Sequence, residues 1–469
     1  MLFNSIAYLI FLPLIFLIWK CLPHKNRWLV LLLGSCLFYC FYIPAYLIVL
    51  FLLITADYFL ALKIQTEQKS KRKIYLVISI CLNAGLLIFF KVVSLYLSGG
   101  LVHTYNDSET SYLLQNYLLP LGISFHTFQS MSYIIEVYRG NYPAEKKYSD
   151  VALYVMFFPQ LVAGPIERPY KLLPQLQTIR FVSSDMYAAA IKLIIWGFFK
   201  KIVIADRFAP LPDAVFANPA NYDGTAVALA AIFFSVQIYC DFSGYTDIAR
   251  GSAKLFGIDL SRNFNKPYFS SSIIAFWRNW HISLSSWFRD YIYIPLGGKK
   301  SKYQLLLILL IFILSGLWHG LGLTFLIWAT LHAVFVWANK LIGKNKKIQL
   351  PRPLSILLTF LIVTLLWICF RAESSSDIII LFKSLFTDIN FNKDSLVNII
   401  LLLRGDRNSI DFLLINILVL IPLIVYDSGI LSKNRIKKIY GSPATWVIII
   451  LLILLLGEFG FNNFIYFQF

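Results

Sequence analysis

Residues 303–339, YQLLLILLIFILSGLWHGLGLTFLIWATLHAVFVWAN, contain no Asp, Glu, Lys or Arg. A helix crosses a bilayer core with about 17–25 consecutive apolar residues, and 303–319 and 322–339 each supply such a run. Outward from this pair, similar runs fall at 2–19, 28–43, 46–62, 74–97, 118–138, 186–205, 225–249, 354–370, 410–427 and 444–457, giving eleven or twelve candidate spans. Composition agrees. Of 469 residues, 58% are hydrophobic and 14% charged, against about 45–50% and about 25% in soluble domains. These values exclude a soluble enzyme, a disordered chain and a nucleic-acid-binding module. They predict an all-α polytopic membrane protein, with one integral membrane domain over residues 1–469 and no separate soluble domain.

The 42 Lys and Arg outnumber the 24 Asp and Glu, and they cluster between the apolar runs, as cytoplasmic loops do. The loops 20–27, 63–73, 139–147, 299–302, 340–352 and 433–438 are therefore expected in the cytoplasm. Loop 98–115 has Asp107 and Glu109 but no Lys or Arg, so it is expected outside, which puts the N-terminus outside too. Lys200, Lys201 and Arg207 fit this scheme poorly. Run 2–19 lacks a basic leader and a small-residue cleavage site, and reads as a retained span. The six cysteines, Cys21, Cys36, Cys40, Cys81, Cys240 and Cys369, show no metal-ligand spacing and read as small hydrophobes.

Two segments are not simple spans. Residues 154–174, YVMFFPQLVAGPIERPYKLLP, are broken by Pro159, Gly164, Pro165, Pro169 and Pro174. Residues 268–298 set Trp277, Trp280 and Trp287 among Arg278, His281, Ser283, Ser285, Arg289 and Asp290. Irregular backbone at membrane depth must be satisfied by protein or by a water-filled cavity, so both read as re-entrant or interfacial elements lining an internal site. An aromatic belt at the lipid headgroups is the alternative for the second.

Ionisable groups inside spans are costly and are functional candidates by default. His319, in LWHGL, ends the uncharged run 305–317. Gly316 and Gly320 beside it would let another backbone or a substrate chain approach. A histidine bonded to a backbone carbonyl is the structural alternative. His281 lies in WRNWHIS, and an imidazole exchanges protons near neutral pH. Two such groups, one on a span and one on a re-entrant segment, could flank a scissile acyl group. His332 follows His319 by 13 residues. On an unbroken helix that is about 20 Å, so it reads as structural. His24, His103 and His126 read as solvated or packing residues.

Phosphate-loop, GxSxG and HExxH motifs are absent from the sequence, which leaves those chemistries without a foothold. Asp241 and Asp247, six residues apart, lie at different helix heights and do not form a glycosidase pair. They are expected to pair with Arg250 or another buried Arg. No metal site is expected. Acyl transfer suits the histidines, with a general base deprotonating a hydroxyl that attacks an ester or thioester carbonyl.

Residues 277–298, WRNWHISLSSWFRDYIYIPLGG, and 316–320, GLWHG, resemble the two signature regions of the membrane-bound O-acyltransferase (MBOAT) family. The likeness is greatest to its bacterial branch of alginate and cell-wall polysaccharide O-acetyltransferase membrane subunits. FNS at 3–5, EVYRG at 136–140, AGPIER at 163–168, residues 241–247 and IYFQF at 465–469 extend it over essentially the whole chain. Leu323, Ala329 and Ala333 depart from the branch pattern, where an aromatic and two glycines are common.

The resemblance implies a ring of about 11–12 transmembrane helices with re-entrant segments around a central funnel. It implies catalytic roles for His319 and His281, with Trp318, Trp280, Arg278 and Gly320 binding substrate. It also implies acetyl-CoA as donor with no permanently bound cofactor, an extracytoplasmic acyltransferase partner, an indirect polysaccharide acceptor, and a place in the cytoplasmic (inner) membrane. D-alanyl transfer to teichoic acid from a carrier-protein thioester is the enzymatic alternative. A polysaccharide-precursor flippase is the alternative outside enzymes, but it predicts inverted repeats, and the irregular segments 154–174 and 268–298 show no such symmetry.

Overall fold

A computed structural model describes residues 1–41, 43–97, 120, 122–178, 182–342, 350–390, 411–460 and 464–465. Loop 98–115, with His103, and residues 466–469 lie outside the described residues. All regular structure among the described residues is helical.

The chain forms two compact units, residues 1–194 with 245–262, and residues 195–244 with 263–469. The helices of the first part of the chain are α1 (Ile6–Cys21), α2 (Arg27–Cys40), α3 (Ala45–Thr66), α4 (Lys69–Leu97), α5 (Ile123–Arg139), α6 (Tyr148–Met156), α7 (Pro169–Gln177) and α8 (Ser184–Phe198). After a π-helical turn, Phe199–Ala205, come α9 (Gly224–Leu255), α10 (Ile273–Asn279), α11 (Ile282–Phe288), α12 (Gln304–His319), α13 (Leu323–Ile342) and α14 (Arg352–Arg371). The chain continues through α15 (Ser375–Thr387), α16 (Asp411–Val419), α17 (Ile421–Ser428), α18 (Lys433–Gly441) and α19 (Pro443–Leu456).

Among the described residues, α3, α4, α9, α13 and α14 are long and apolar enough to cross a bilayer, and α18 with α19, bent by 63°, makes a sixth if counted as one span. The polytopic all-α expectation therefore holds. Several expected spans are shorter or broken. The run 186–205 passes from α8 into the π-helical turn. In α12 the helix ends at His319 after 16 residues, where Gly320 takes an extended conformation.

In the first unit a single carboxylate ties three helices together. Asp57 of α3 is fully buried and accepts hydrogen bonds from Ser79 and Asn83 of α4 and from Ser130 of α5. Segment 154–174 is buried through most of its length, and side chains satisfy its broken backbone. The Phe158 amide donates to Ser35 Oγ at 3.0 Å, the Glu167 amide to Gln129 Oε1 at 2.8 Å, and Gln160 Nε2 to the Tyr154 carbonyl at 2.7 Å. The Tyr154 hydroxyl donates to the Glu167 carbonyl at 2.7 Å. Protein thus supplies the partners that lipid cannot. Gly164 is required here, since a Cβ on it would lie 2.2 Å from Gln160 Cα.

In the second unit α12 and α13 form a helical hairpin. A Cβ on Gly316 would lie 2.8 Å from the Phe325 carbonyl oxygen and 2.9 Å from Ala329 Cβ, so the missing side chain lets the two helices close. All six cysteines are free thiols.

Asp57→Ala leaves three buried donors without their acceptor, at a cost of about 1–3 kcal/mol for each group left unsatisfied. We expect a lower midpoint of thermal unfolding in detergent, and a smaller drop for Asp57→Asn, which keeps one acceptor oxygen.

Candidate active site

His319 is the last residue of α12 and is 5% exposed. Three rings surround it edge-on, with centroids at 4.8 Å for Trp318, 5.2 Å for Phe370 of α14 and 5.5 Å for Trp328 of α13. Gly320 follows, and a Cβ there would come within 2.3 Å of the Phe325 ring, which would have to move to admit it. Both glycines beside His319 are thus used by close packing against α13.

His281 sits at the corner between α10 and α11 with φ 43° and ψ 55°, a left-handed conformation rare for a residue with a side chain. Asn263 holds the corner, its carbonyl accepting from the Ile282 amide at 2.9 Å and its Oδ1 from the Ser283 amide at 3.3 Å. The His281 ring is 1% exposed and lies 4.7 Å from Phe242 and 5.9 Å from Trp318. Trp318 therefore touches both imidazoles, and the two sequence-predicted histidines come one indole apart.

Trp280 is 1% exposed and packs at 5.0 Å on Trp367, which in turn touches Phe370 and Trp328. It belongs to the same aromatic cluster, one ring further from His319. Arg278 is exposed at the end of α10, outside the buried rings. Trp280 and Trp287 are buried, and Trp277 donates from Nε1 to His332 Nδ1 at 3.2 Å. The segment is therefore an internal element rather than a headgroup belt.

His332 corrects the sequence reading in one respect. The distance of about 20 Å presumes an unbroken helix, but the chain turns at 320–322 and α13 runs back along α12. The reversal sets Trp328 of α13 against His319, and His332, one turn further along α13, lies 5.0 Å from the same Trp328 ring. Its hydrogen bond to Trp277 gives it a structural task.

A second buried polar group lies on the π-helical turn. Lys201 is 1% exposed and pairs with Asp241 at 2.6 Å and Asp206 at 2.9 Å. Asp241 Oδ2 also accepts from the Ile465 amide at 2.8 Å. Lys200 donates to Ser243 Oγ at 2.9 Å. Gly244 permits this close contact, as a Cβ there would lie 2.8 Å from the Gly197 carbonyl oxygen. Asp241 thus pairs with a lysine rather than an arginine, whereas Asp247 pairs with Arg250 at 3.2 Å as expected. The lysines that fit no loop are interior ligands of carboxylates and hydroxyls. The signal that finds them is the rule already applied to the histidines, ionisable residues within apolar runs, which also marks Asp57.

Two buried histidines in one aromatic cluster of a membrane-embedded helical protein suit proton transfer in acyl-group chemistry, and comparison with known proteins supplies the class. A family model for MBOAT, membrane-bound O-acyltransferase family, matches residues 146–373. The chain is 38% identical to a probable alginate O-acetylase of Pseudomonas aeruginosa, over 80% of this chain and 72% of the relative. It is 35% identical to a peptidoglycan O-acetyltransferase of Helicobacter pylori, over 74% and 71% respectively. It is 30% identical to a teichoic acid D-alanyltransferase of Bacillus subtilis, over 54% and 68%. The chain belongs to the MBOAT family and is a multi-pass membrane O-acyltransferase.

Lys201→Met removes the cation from two buried carboxylates. Breaking one partner of a buried ion pair costs about 3–5 kcal/mol, so purified variant is expected to unfold at markedly lower temperature. The double variant Lys201→Met with Asp241→Leu should recover part of the loss, because one of the stranded charges is gone.

Proposed function

We propose that this enzyme takes an acetyl group from cytoplasmic acetyl-CoA and passes it across the membrane for O-acetylation of an extracytoplasmic polysaccharide, with His319 as the base. The observation that carries the reading is His319 itself, a buried imidazole at a helix end, linked to His281 through the Trp318 ring and lying inside the family-matched residues. The names of the relatives, an alginate O-acetylase and a peptidoglycan O-acetyltransferase, support the acetyl group and the polymer acceptor.

In this mechanism neutral His319 accepts the proton of an attacking hydroxyl as its oxygen adds to the thioester carbonyl. The tetrahedral intermediate collapses, the carbon–sulfur bond breaks, and the imidazolium returns its proton to the leaving thiolate. The products are the O-acetyl ester and free CoA thiol. His281 positions the site through Trp318, Trp280 supports the aromatic wall, and Gly320 keeps the backbone close beside the base. Exposed Arg278 and the exposed lysines at 299, 300 and 302 suit the phosphates of CoA. The loops that sequence places outside are short, which favours a separate extracytoplasmic acyltransferase as partner. A cytoplasmic thioester donor calls for a place in the cytoplasmic (inner) membrane. D-alanyl transfer is supported by similarity over less of the chain and calls for a carrier-protein thioester as donor.

Membranes containing the His319→Ala variant, supplied with labelled acetyl-CoA and candidate outer partners, are expected to transfer label about 10²–10⁴-fold more slowly than wild type, and the near-isosteric His319→Gln variant, which leaves less of a cavity among the rings, to be slowed as well. Normal transfer by either variant would refute the assignment. Label accepted only from a D-alanyl carrier protein would replace acetyl-CoA as donor.

A further inference from the structure

The second unit contains an apolar groove of about 340 Å³ that the acyl-transfer mechanism does not use. Tyr239 of α9, Tyr268, Pro353 and Phe360 of α14, and Leu423 and Ile424 of α17 line it. From Pro353 to Phe360 the wall runs about 10 Å along α14, enough for part of an acyl chain. Among the described residues its rim is open, with Leu357 51% and Ile424 44% exposed.

Positively charged residues flank the segments that line the groove. Arg352, exposed at the start of α14, precedes the lining residue Pro353. Lys266, next to the lining segment 267–269, donates from Nζ to the Tyr426 carbonyl at 2.7 Å. Helix α18 folds back on α17, with the Tyr440 hydroxyl donating to the Pro422 carbonyl at 2.6 Å and the Tyr440 and Tyr426 rings 5.0 Å apart. That fold brings Arg435, Lys437 and Lys438, all exposed, to the helix that forms one wall. The acid among the lining residues, Asp427, accepts from the Tyr239 hydroxyl at 2.6 Å.

From this juxtaposition of an acyl-sized apolar groove with a basic helix docked over its wall, we propose that the groove holds one chain of an anionic phospholipid, whose headgroup is bound by the cations of α18 and its neighbours. A zwitterionic lipid fits the groove equally well but gains nothing from the cations. Each Lys or Arg near an anionic headgroup contributes about 1 kcal/mol, so charge sets the selectivity and the groove sets the site.

The test uses full-length protein reconstituted in nanodiscs of phosphatidylcholine containing phosphatidylglycerol, then transferred to detergent, with retained lipid counted by native mass spectrometry. Wild type is expected to keep phosphatidylglycerol in preference to phosphatidylcholine. The exposed triple variant Arg435→Glu, Lys437→Glu, Lys438→Glu should lower that preference about a hundredfold, given about 1 kcal/mol per cation and tenfold per about 1.4 kcal/mol. Ile424→Trp, which fills the mouth, should reduce retention of both lipids while leaving acyl transfer in place. Equal retention of both lipids by wild type and variants overturns the proposal. So does displacement of the retained lipid by acetyl-CoA, which would make the groove part of the donor's path.

Discussion

A backbone amide or carbonyl that leaves a helix within a bilayer has no water to turn to, so the protein must provide its partner. Both irregular segments of this chain meet that condition with a few buried amide and hydroxyl side chains. Gln129, Gln160 and Ser35 do so for segment 154–174, and Asn263 does so for the corner at His281. Without these groups neither segment could remain irregular, and His281 would have no fixed place. Within the second unit, Asn263 thus fixes the corner from which His281 reaches the aromatic cluster.

The cluster organises chemistry by exclusion. Trp318, Trp328 and Phe370 pack nearly perpendicular to the His319 ring, and this packing restricts how the imidazole can turn. Glycine at 316 and 320 brings α13 so near that side chains of one helix serve as walls for the other. A base held this way loses little orientational freedom on binding a substrate, which is one source of the advantage of preorganised sites. The Lys201 group has a different task. It joins the π-helical turn, α9 and residue 465 through one ammonium and two carboxylates.

Much of this was legible in the sequence because bilayer physics writes itself into composition. Long uncharged runs gave the all-helical polytopic class, and prolines and glycines marked 154–174 as irregular. His319 and His281 stood out as ionisable groups in apolar surroundings. What stayed hidden depends on contacts between distant residues. No spacing rule reveals that Lys201 meets Asp241, or that the Trp328–His332 face of α13 folds back onto His319. The about 20 Å separation of His319 and His332 holds only for a helix continued through Gly320, and there the chain reverses. Asp57 was within reach of the same rule, but three neutral donors rather than a countercharge hold it, and no pairing by sign would have found them.

The corner at His281 has a further consequence. A residue with a side chain costs about 1–2 kcal/mol in the left-handed region, and glycine almost nothing. Imidazole and backbone tension are therefore superimposed at one position with φ 43°. Alanine there would delete the ring and keep the tension, whereas glycine would delete both. The difference between these two replacements measures how much of the corner's rigidity is spring and how much is chemistry, and free imidazole supplied in solution could restore only the second.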